Sequence, residues 1–502
     1  MLIPIAACIG LGALSLLLPS EPSYDPWAWF VWSREIAHLE LDTEGGPSWK
    51  PLPVLVLAFA APLGDDVPVT LWIALARAGA LLGLVLAYRL AARFAGGPPA
   101  LRAVAGITAA AALALTPDWF QFTAHASEAP LAIALMLWAV ERHVDRRRGQ
   151  AMALLAVVCL MRPEVFPFLA VYATWLWTAE RGLRRPVAAL MVAIPLAWLV
   201  PEWIGSGHPL DAGSQARSAP YWSLSLAERP WLRALERLHN HAGLVVELLA
   251  AVAIAGAVVR RQRAVLVLAA AAAVEAALFV AMTQAGFSGN PRYALPALAV
   301  VCVLAGAGAA RTAEAGAALA ARGAGMLAGW RRGRAPDGPR RPLAAARLSG
   351  AALALTLVAL LVAPLVEGRA GRLEFEAREV GRRMELQRDI ARAIAAAGGP
   401  EALRPLGSAT TNRALHTRLA WELGYPIQDV ERGYGHQVVV RTSDEEIAGD
   451  VLVWGRPRER RTLARAGSFR VYRRLDLSYR LFTSPLQGLH ILRRVARTGR
   501  SG

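Results

Sequence analysis

Lysine is almost absent from this 502-residue sequence, in which Lys50 is the only lysine among 55 basic residues. Cysteine is also scarce. Cys8, Cys159 and Cys302 all lie in apolar stretches and lack the spacing of a metal site, so they indicate small buried residues rather than zinc ligands or disulfides. No GxxxxGK[ST] phosphate loop occurs, which argues against ATP-driven transport, and there is no GxSxG element.

Apolar residues make up 55% of the chain, and they are concentrated in long runs. Runs of about 18 to 22 residues are long enough to cross a hydrocarbon core of about 30 Å as helices. The sequence therefore predicts an all-α polytopic membrane protein. We interpret the first run as an anchor helix rather than a signal peptide because no basic segment precedes it. The eleven predicted spans are 1–19, 68–90, 101–116, 127–141, 150–162, 165–178, 187–204, 241–259, 264–282, 293–310 and 348–366.

The net charge of +17 follows from topology rather than from nucleic-acid binding. Arginines cluster in alternate short links between the runs, which the positive-inside rule places in the cytoplasm. The largest such segment, residues 311–347, is rich in Arg, Gly and Pro and is predicted to be a flexible cytoplasmic linker. The rule places the N-terminus on the cytoplasmic side of the membrane. The intervening loops, 20–67, 117–128, 205–240 and 283–292, then face the extracytoplasmic side.

Residues 367–502 contain no long apolar run and are predicted to form a small extracytoplasmic α/β domain beside the transmembrane domain of residues 1–366. An amphipathic helix is expected over 373–398, ended by two glycines. The other elements expected in this domain are a helix at 410–424, strands at 436–442, 450–455 and 468–475, and a basic amphipathic tail at 484–500 on the membrane surface.

The first outward loop carries an acidic residue among tryptophans. Asp25 follows the first span directly, and Trp27, Trp29, Trp32 and Trp49 precede Lys50 in the same loop. A carboxylate among indole rings is partly desolvated, which raises its pKa toward that of a general base. The alternative is structural: Asp25 caps an interfacial helix ahead of Pro26.

Ionisable residues also stand at the outer ends of later spans. In the second outward loop, His125 and Glu128 lie one helical turn apart, which leaves open a divalent metal site as well as a pocket or a capping role.

Two arginines occupy similar positions further along the chain. Arg162 lies beside Glu164 between two short spans, either paired with it or holding a phosphate. Arg292 and Tyr293 open the tenth span, as a phosphate contact or as an interfacial anchor.

Four short motifs together resemble a known superfamily. They are YDPWAWFVWSREI after the first span, SEAPL opening a later span, MRPE, and NPRYALP near the last core span. Over residues 1–310 the arrangement is similar to the GT-C superfamily of integral membrane glycosyltransferases, and in particular to actinobacterial arabinofuranosyl- and mannosyltransferase-like proteins. Many of these enzymes carry a second acid after the first, whereas Pro26 follows Asp25 here.

The resemblance implies transfer of a hexose or pentose from a polyprenyl-phosphate donor to a cell-envelope glycan, lipid or protein on the outer face of a bacterial cell membrane. It implies Asp25 as the general base and a donor phosphate held by Arg292, Arg162 and Tyr293. The sugar or acceptor pocket would be lined by Lys50, Trp49, Trp27, His125, Glu128 and Glu164. No cofactor is required. Because Asp25 is the sole acid of its motif, a family-style metal site is not expected.

Other functions remain open on the sequence alone. One is a ligase or polymerase of lipid-linked oligosaccharides, which would use similar outward loops and arginines. Others are a transporter or lipid flippase, which would place charges near the middle of its spans and show inverted repeats, and a non-catalytic scaffold.

Overall fold

The computed structural model describes residues 1–218, 223–331, 341–406, 409–411, 415–432, 438–442, 460–466, 469–474, 479–483 and 490–494. Helices dominate these residues. In chain order they are α1 Leu2–Leu14, α2 Tyr24–His38, α3 Pro51–Ala60, α4 Asp66–Ala95, α5 Pro99–Ala114, α6 Trp119–Ala124, α7 Ala129–Val144, α8 Arg148–Cys159, α9 Phe166–Ala179, α10 Arg184–Ser206, α11 Asp211–Arg217, α12 Pro230–Ala242, α13 Leu244–Val259, α14 Arg263–Gln284, α15 Leu295–Arg331, α16 Arg341–Ala396, α17 Gly399–Leu403 and α18 His416–Leu423.

Each predicted span coincides with a helix. By length and composition, four helices of the described chain can cross a membrane. They are α4, α14, α15 and the segment Arg181–Ser206, which includes α10. The number rises to six if two bent pairs, α12 with α13 and the two parts of α16, each count as one span. The helical membrane fold is thus confirmed, whereas the count of eleven crossings stays a prediction.

Helix α15 forms the centre of the helical domain and packs against α4, α5, α13 and α16. Small residues permit this close packing, as is usual where membrane helices meet. A Cβ atom at Gly306 would collide with the backbone carbonyl of Ala105 on α5, and one at Gly308 would collide with that of Leu249 on α13. The AGAGA run at 305–309 therefore sets the distance between the three helices.

Most of the segment predicted to be a flexible cytoplasmic linker is helical instead. Residues 311–331 continue α15 and residues 341–347 begin α16, while 332–340 lie outside the described residues. The reason is the alanine content of ARTAEAGAALAARGAGMLAG, because alanine has the highest helix propensity and outweighs the scattered glycines. Helix α16 also runs through the predicted domain boundary at residue 366, with a bend of 42° at residues 360–362.

Beyond α16, the described residues mix short helices with strands. The strands are β1 Ala409–Thr411, β2 Val430–Arg432, β3 Val438–Thr442, β4 Arg460–Ala466, β5 Phe469–Arg474, β6 Tyr479–Thr483 and β7 His490–Arg494. Their order is β2-β1-β3-β5-β4 in one sheet and β6-β7 in another.

Some of the sequence predictions for this part are confirmed and others are not. Strands β3 and β5 fall where strands were expected, and α18 covers the second half of the helix predicted at 410–424, with β1 at its start. The strand expected at 450–455 lies outside the described residues. Within the predicted amphipathic tail, His490–Arg494 pairs with β6 as a strand instead.

Candidate functional site

Three acidic and three basic side chains from five separate segments form one charged cluster. Each lies at or beside a helix end: Asp25 in the first turn of α2, Lys50 ahead of α3, Glu128 ahead of α7, Arg162 and Glu164 between α8 and α9, and Arg292 in the short turn before α15. The cluster is neutral by formal charge, with three positive and three negative groups.

The more accessible part of the cluster is an ion pair. Arg292 donates from Nη1 to Oδ2 of Asp25 at 2.5 Å, and Lys50 Nζ lies 3.4 Å from the same oxygen. The side chain of Arg292 is 19% exposed and that of Asp25 is 13% exposed. The side-chain oxygen of Asn290 accepts a hydrogen bond from the backbone N–H of Arg292. This bond fixes the turn that carries the guanidinium. Asp25 and Arg292 are therefore the charged groups that a substrate can reach most directly.

A deeper layer of the cluster is almost fully enclosed. Lys50 Nζ donates to Glu128 Oε1 at 2.6 Å, and Arg162 Nε lies 3.5 Å from the same oxygen. Arg162 Nη1 donates to Glu164 Oε1 at 2.9 Å. The side chains of Glu128, Arg162 and Glu164 are at most 2% exposed. Because these three side chains are so deeply buried, they are better placed to hold one another in position than to contact a sugar directly.

Two aromatic rings border the cations. Tyr293 lies close to both arginines, with its ring centre 5.3 Å from the guanidinium of Arg292 and 5.6 Å from that of Arg162. Lys50 Nζ lies 5.2 Å from the ring centre of Trp29. A cation over an aromatic face is attracted by the ring quadrupole, so these rings help to hold the desolvated charges in place.

The expectation of a raised pKa at Asp25 is wrong. Burial by itself raises the pKa of this carboxyl, but the charges of Arg292 and Lys50 outweigh burial, and the pKa lies below its ordinary value. In this arrangement Asp25 is a carboxylate held by cations. It becomes a better proton acceptor only when another anion draws those cations away.

His125 lies outside the charged cluster and holds the chain just before α2. Its Nδ1 is 3.1 Å from the backbone oxygen of Glu21, and its own backbone oxygen accepts from the N–H of Ser23. Burial, followed by the positive charge of Arg383, lowers the pKa of His125 to about 4, so the ring is neutral near pH 7. The described residues contain no group of three or more His, Cys, Asp or Glu side chains suited to a metal ion.

Glu21 beside it is a buried carboxyl with one weak partner. Gln387 donates to its Oε1 at 3.2 Å, whereas Oε2 has no hydrogen-bond partner. Burial raises the pKa of Glu21 to about 8, against the opposing charges of Arg383 and Arg382. Unfolded glutamate has a pKa near 4.3. The folded protein therefore binds the Glu21 proton more tightly than the unfolded chain does, and this contribution to stability is lost as pH rises from about 4 to 8.

We expect Glu21→Gln to stabilise the protein much more at pH 8 than at pH 5, because glutamine resembles the protonated acid and does not ionise. Thermal unfolding of wild type and variant at both pH values measures the difference. The exposed Glu44→Gln substitution in the same loop is the control and should give equal differences at both pH values. Equal differences for Glu21→Gln as well would contradict this assignment.

The two tryptophans expected in the pocket lie elsewhere. Trp49 is fully buried, donates to the backbone oxygen of Ala197 and packs on Trp32. Trp27 is buried beneath Arg418 of α18. The tryptophan that lies beside Lys50 of the charged cluster is Trp29.

Sequence reasoning missed Glu275. This buried carboxyl on α14 lies near Arg162 and Glu164. The only signal was a single acid within a run of alanines.

Comparisons with known proteins identify the fold and no closer relationship. No protein-family model matches the chain, and no curated protein matches it in sequence. Among solved structures, ArnT from Cupriavidus metallidurans in the apo state is 16% identical and aligns with a TM-score of 0.50 over 94% of this chain and 97% of its own. The same protein bound to undecaprenyl phosphate gives 0.48 over the same shares at the same identity.

A third structure is more distant. The archaeal oligosaccharyltransferase AglB from Archaeoglobus fulgidus, in complex with an inhibitory peptide and a dolichol-phosphate, is 12% identical and gives a TM-score of 0.44 over 89% of this chain and 69% of its own. The alignment with apo ArnT spans nearly the whole of both chains. The chain therefore shares its overall fold with apo ArnT.

Proposed function

We propose that this protein is a membrane glycosyltransferase that moves a sugar from a polyprenyl-phosphate donor to a cell-envelope acceptor on the extracytoplasmic face. The observation that carries the proposal is the Asp25–Arg292 pair. It combines a proton acceptor and a phosphate-binding cation at 2.5 Å, on the more accessible side of an otherwise enclosed, charge-neutral cluster. The fold shared with apo ArnT and the motif resemblance support the same class of reaction.

The proposed chemistry needs one acid–base group and one anion-binding group. The acceptor hydroxyl attacks the anomeric carbon and its proton passes to an Asp25 carboxylate oxygen. The bond between that carbon and the phosphate oxygen breaks, and a glycosidic bond forms. Polyprenyl phosphate leaves with the bonding electron pair, and Arg292 stabilises the charge that develops on the phosphate, since guanidinium pairs with phosphate through two parallel hydrogen bonds.

Donor binding also prepares the base. In the free protein, Arg292 and Lys50 hold the pKa of Asp25 below its ordinary value despite burial. A donor phosphate competes with Asp25 for the guanidinium, so the pKa of the carboxyl rises once the donor occupies the site. The enzyme thus obtains a stronger base only when there is a sugar to transfer.

The deeper residues support this pair in the proposal. Glu128 and Glu164 hold Lys50 and Arg162, and the guanidinium of Arg162 lies 5.6 Å from the ring centre of Tyr293, next to Arg292 in the sequence. Arg162 therefore adds positive electrostatic potential to the proposed phosphate site from the enclosed layer of the cluster. The enclosed carboxylates reach neither sugar nor acceptor without a rearrangement.

The test is incubation of the purified protein with a panel of polyprenyl-phospho-sugars and membrane acceptors, scored by loss of sugar from the lipid. We expect turnover of at least one donor and a fall of about 100-fold or more in kcat/KM for Arg292→Gln, because the variant loses the charge that stabilises the leaving phosphate. Arg185→Gln is the control, as this exposed arginine lies at the start of α10, on the side that the arginine clusters place in the cytoplasm.

Other outcomes separate the alternatives. Turnover of diphosphate-linked oligosaccharides alone would identify a ligase or polymerase. Movement of the lipid across vesicles without loss of its sugar would identify a flippase. Either result, or unchanged turnover by Arg292→Gln, would overturn the proposal.

A further inference from the structure

The residues on both sides of Asp25 are held by a helix some 390 positions later in the chain. Thr417 on α18 donates from its hydroxyl to the backbone oxygen of Tyr24 at 2.8 Å. The guanidinium of Arg418, the next residue, lies 3.9 Å from the ring centre of Trp27. Asp25 lies between these two contact points, so α18 contacts the part of α2 that carries the carboxylate.

These contacts are buried and specific. Thr417 is fully buried, and its hydroxyl reaches a carbonyl in the first turn of α2. Arg418 is fixed in turn by an ion pair with Glu422 on the same helix. Further along α2, Arg34 donates to the backbone oxygen of Trp421, so α18 contacts α2 from Tyr24 to Arg34.

The chain before Asp25 is fixed from two other directions. Backbone N–H groups of Glu21 and Ser23 donate to the backbone oxygens of Ala124 and His125 in the second outward loop. Gln387 of α16 donates to the backbone oxygen of Pro22 at 3.2 Å. Residues 21–27 are therefore enclosed between the second loop on one side and α16 and α18 on the other.

We propose that α18 is a positioning element for the catalytic base, with Thr417 and Arg418 as the positioning residues. This inference rests on the proposed function. The hydroxyl of Thr417 fixes the position of the first turn of α2 along the helix axis. Arg418 fixes the rotation of that turn about the axis by its contact with the indole of Trp27. Together they hold the Asp25 carboxylate at the distance from Arg292 and the acceptor that proton transfer requires.

A small displacement of that turn carries a large kinetic cost. Catalytic groups act within a narrow range of geometry, and an error of about 1 Å lowers rates by about 100-fold. Affinity for the donor depends on Arg292, which lies on a different segment, in the turn before α15. The expected signature is therefore a change in kcat with little change in KM for the donor.

The test compares Thr417→Val with Thr417→Ser in the full-length protein. Valine keeps the shape of the side chain but removes the donor, whereas serine keeps the hydroxyl and loses only a methyl group. We expect Thr417→Val to lower kcat by about 10- to 100-fold with donor KM within about twofold of wild type, and Thr417→Ser to recover most of the rate.

Hydrogen exchange of residues 22–30 provides a readout that does not depend on activity. We expect faster exchange of these amides in Thr417→Val than in wild type or Thr417→Ser. Arg418→Met and Arg418→Lys form a second pair in case Thr417→Val does not fold, with the lysine variant keeping the cation over Trp27.

The outcomes distinguish a failure of the positioning role from a failure of the proposed function. Faster exchange in a protein whose wild type transfers no sugar would keep the structural contact and reject the proposed function. Normal exchange and normal kcat in both Thr417→Val and Arg418→Met would overturn the positioning role while leaving the function intact. A parallel loss of folded protein, donor affinity and rate would show that α18 only stabilises the fold, and this too would overturn the inference.

Discussion

Asp25→Asn is expected to lower sugar transfer by about 10²- to 10⁴-fold, the range that general-base catalysis contributes. Asparagine has nearly the same shape and keeps an oxygen that accepts a hydrogen bond from Arg292, but it cannot take the proton of the acceptor hydroxyl. Donor affinity should be unchanged or slightly higher, because Arg292 no longer has a carboxylate competing with the phosphate. The measurement is kcat and donor KM for wild type and variant.

Asp145→Asn is the matched control for this substitution. Asp145 also forms ion pairs with arginines, Arg93 and Arg142, but at the end of α7 opposite to Glu128 and the charged cluster. We expect this variant to retain wild-type kcat. An Asp25→Asn enzyme that transfers sugar at the wild-type rate would show that another group takes the proton, even if the rest of the cluster binds the donor.

Much of the candidate site was accessible from the sequence through topology. Asp25 and Arg292 are 267 positions apart, yet both follow or precede an apolar run on the side that lacks arginine clusters. The same reasoning brings Lys50, Glu128, Arg162 and Glu164 to one face of the membrane. Charge at the outer end of a span was thus the signal that worked.

The partners of these residues did not follow from topology. Nothing in the sequence pairs Lys50 with Glu128 rather than with another outward acid, since that choice depends on how α3 and α7 pack. The pKa of Asp25 was predicted in the wrong direction for the same reason. The nearby tryptophans indicated desolvation, whereas the cations that outweigh it come from other segments.

Which tryptophan lies at the charged cluster depends on the rotation of α2 about its own axis. Trp27, Trp29 and Trp32 are close in sequence, but their side chains leave α2 in different directions. Trp29 lies beside Lys50, while Trp27 lies beneath α18, whose position depends on the C-terminal part of the chain. Hydropathy carries no information on such contacts between distant segments.

The long helices around residue 331 show a different limit. Arginine, glycine and proline in residues 311–347 indicated a linker, yet α15 and α16 extend into this segment from both sides. Composition averaged over the window hid the alanine-rich stretch that continues α15. A reading by helix propensity, residue by residue, would have placed the end of α15 closer to its observed position.

The largest effect on stability is expected for Lys50→Met. Methionine fills a similar volume but removes the positive charge that Glu128 faces at 2.6 Å, and the Glu128 side chain has no exposure to water. Leaving one partner of a buried ion pair uncompensated costs about 3 to 5 kcal/mol. We expect a loss near the lower end of that range, because Arg162 still lies 3.5 Å from the same carboxylate oxygen. Unfolding free energies in detergent micelles measure it.

The double variant Lys50→Met/Glu128→Gln separates burial of an unpaired charge from loss of packing. If the charge is the cause, neutralising Glu128 recovers most of the lost stability, and the double-mutant cycle gives a coupling energy of about 1 to 3 kcal/mol. Arg93→Met, which breaks a partly exposed pair with Asp145, is the control and should cost under about 1 kcal/mol. Additive losses for Lys50→Met and Glu128→Gln would mean that the two side chains do not depend on each other, so Glu128 would no longer explain why the only lysine of the chain is held beside Asp25.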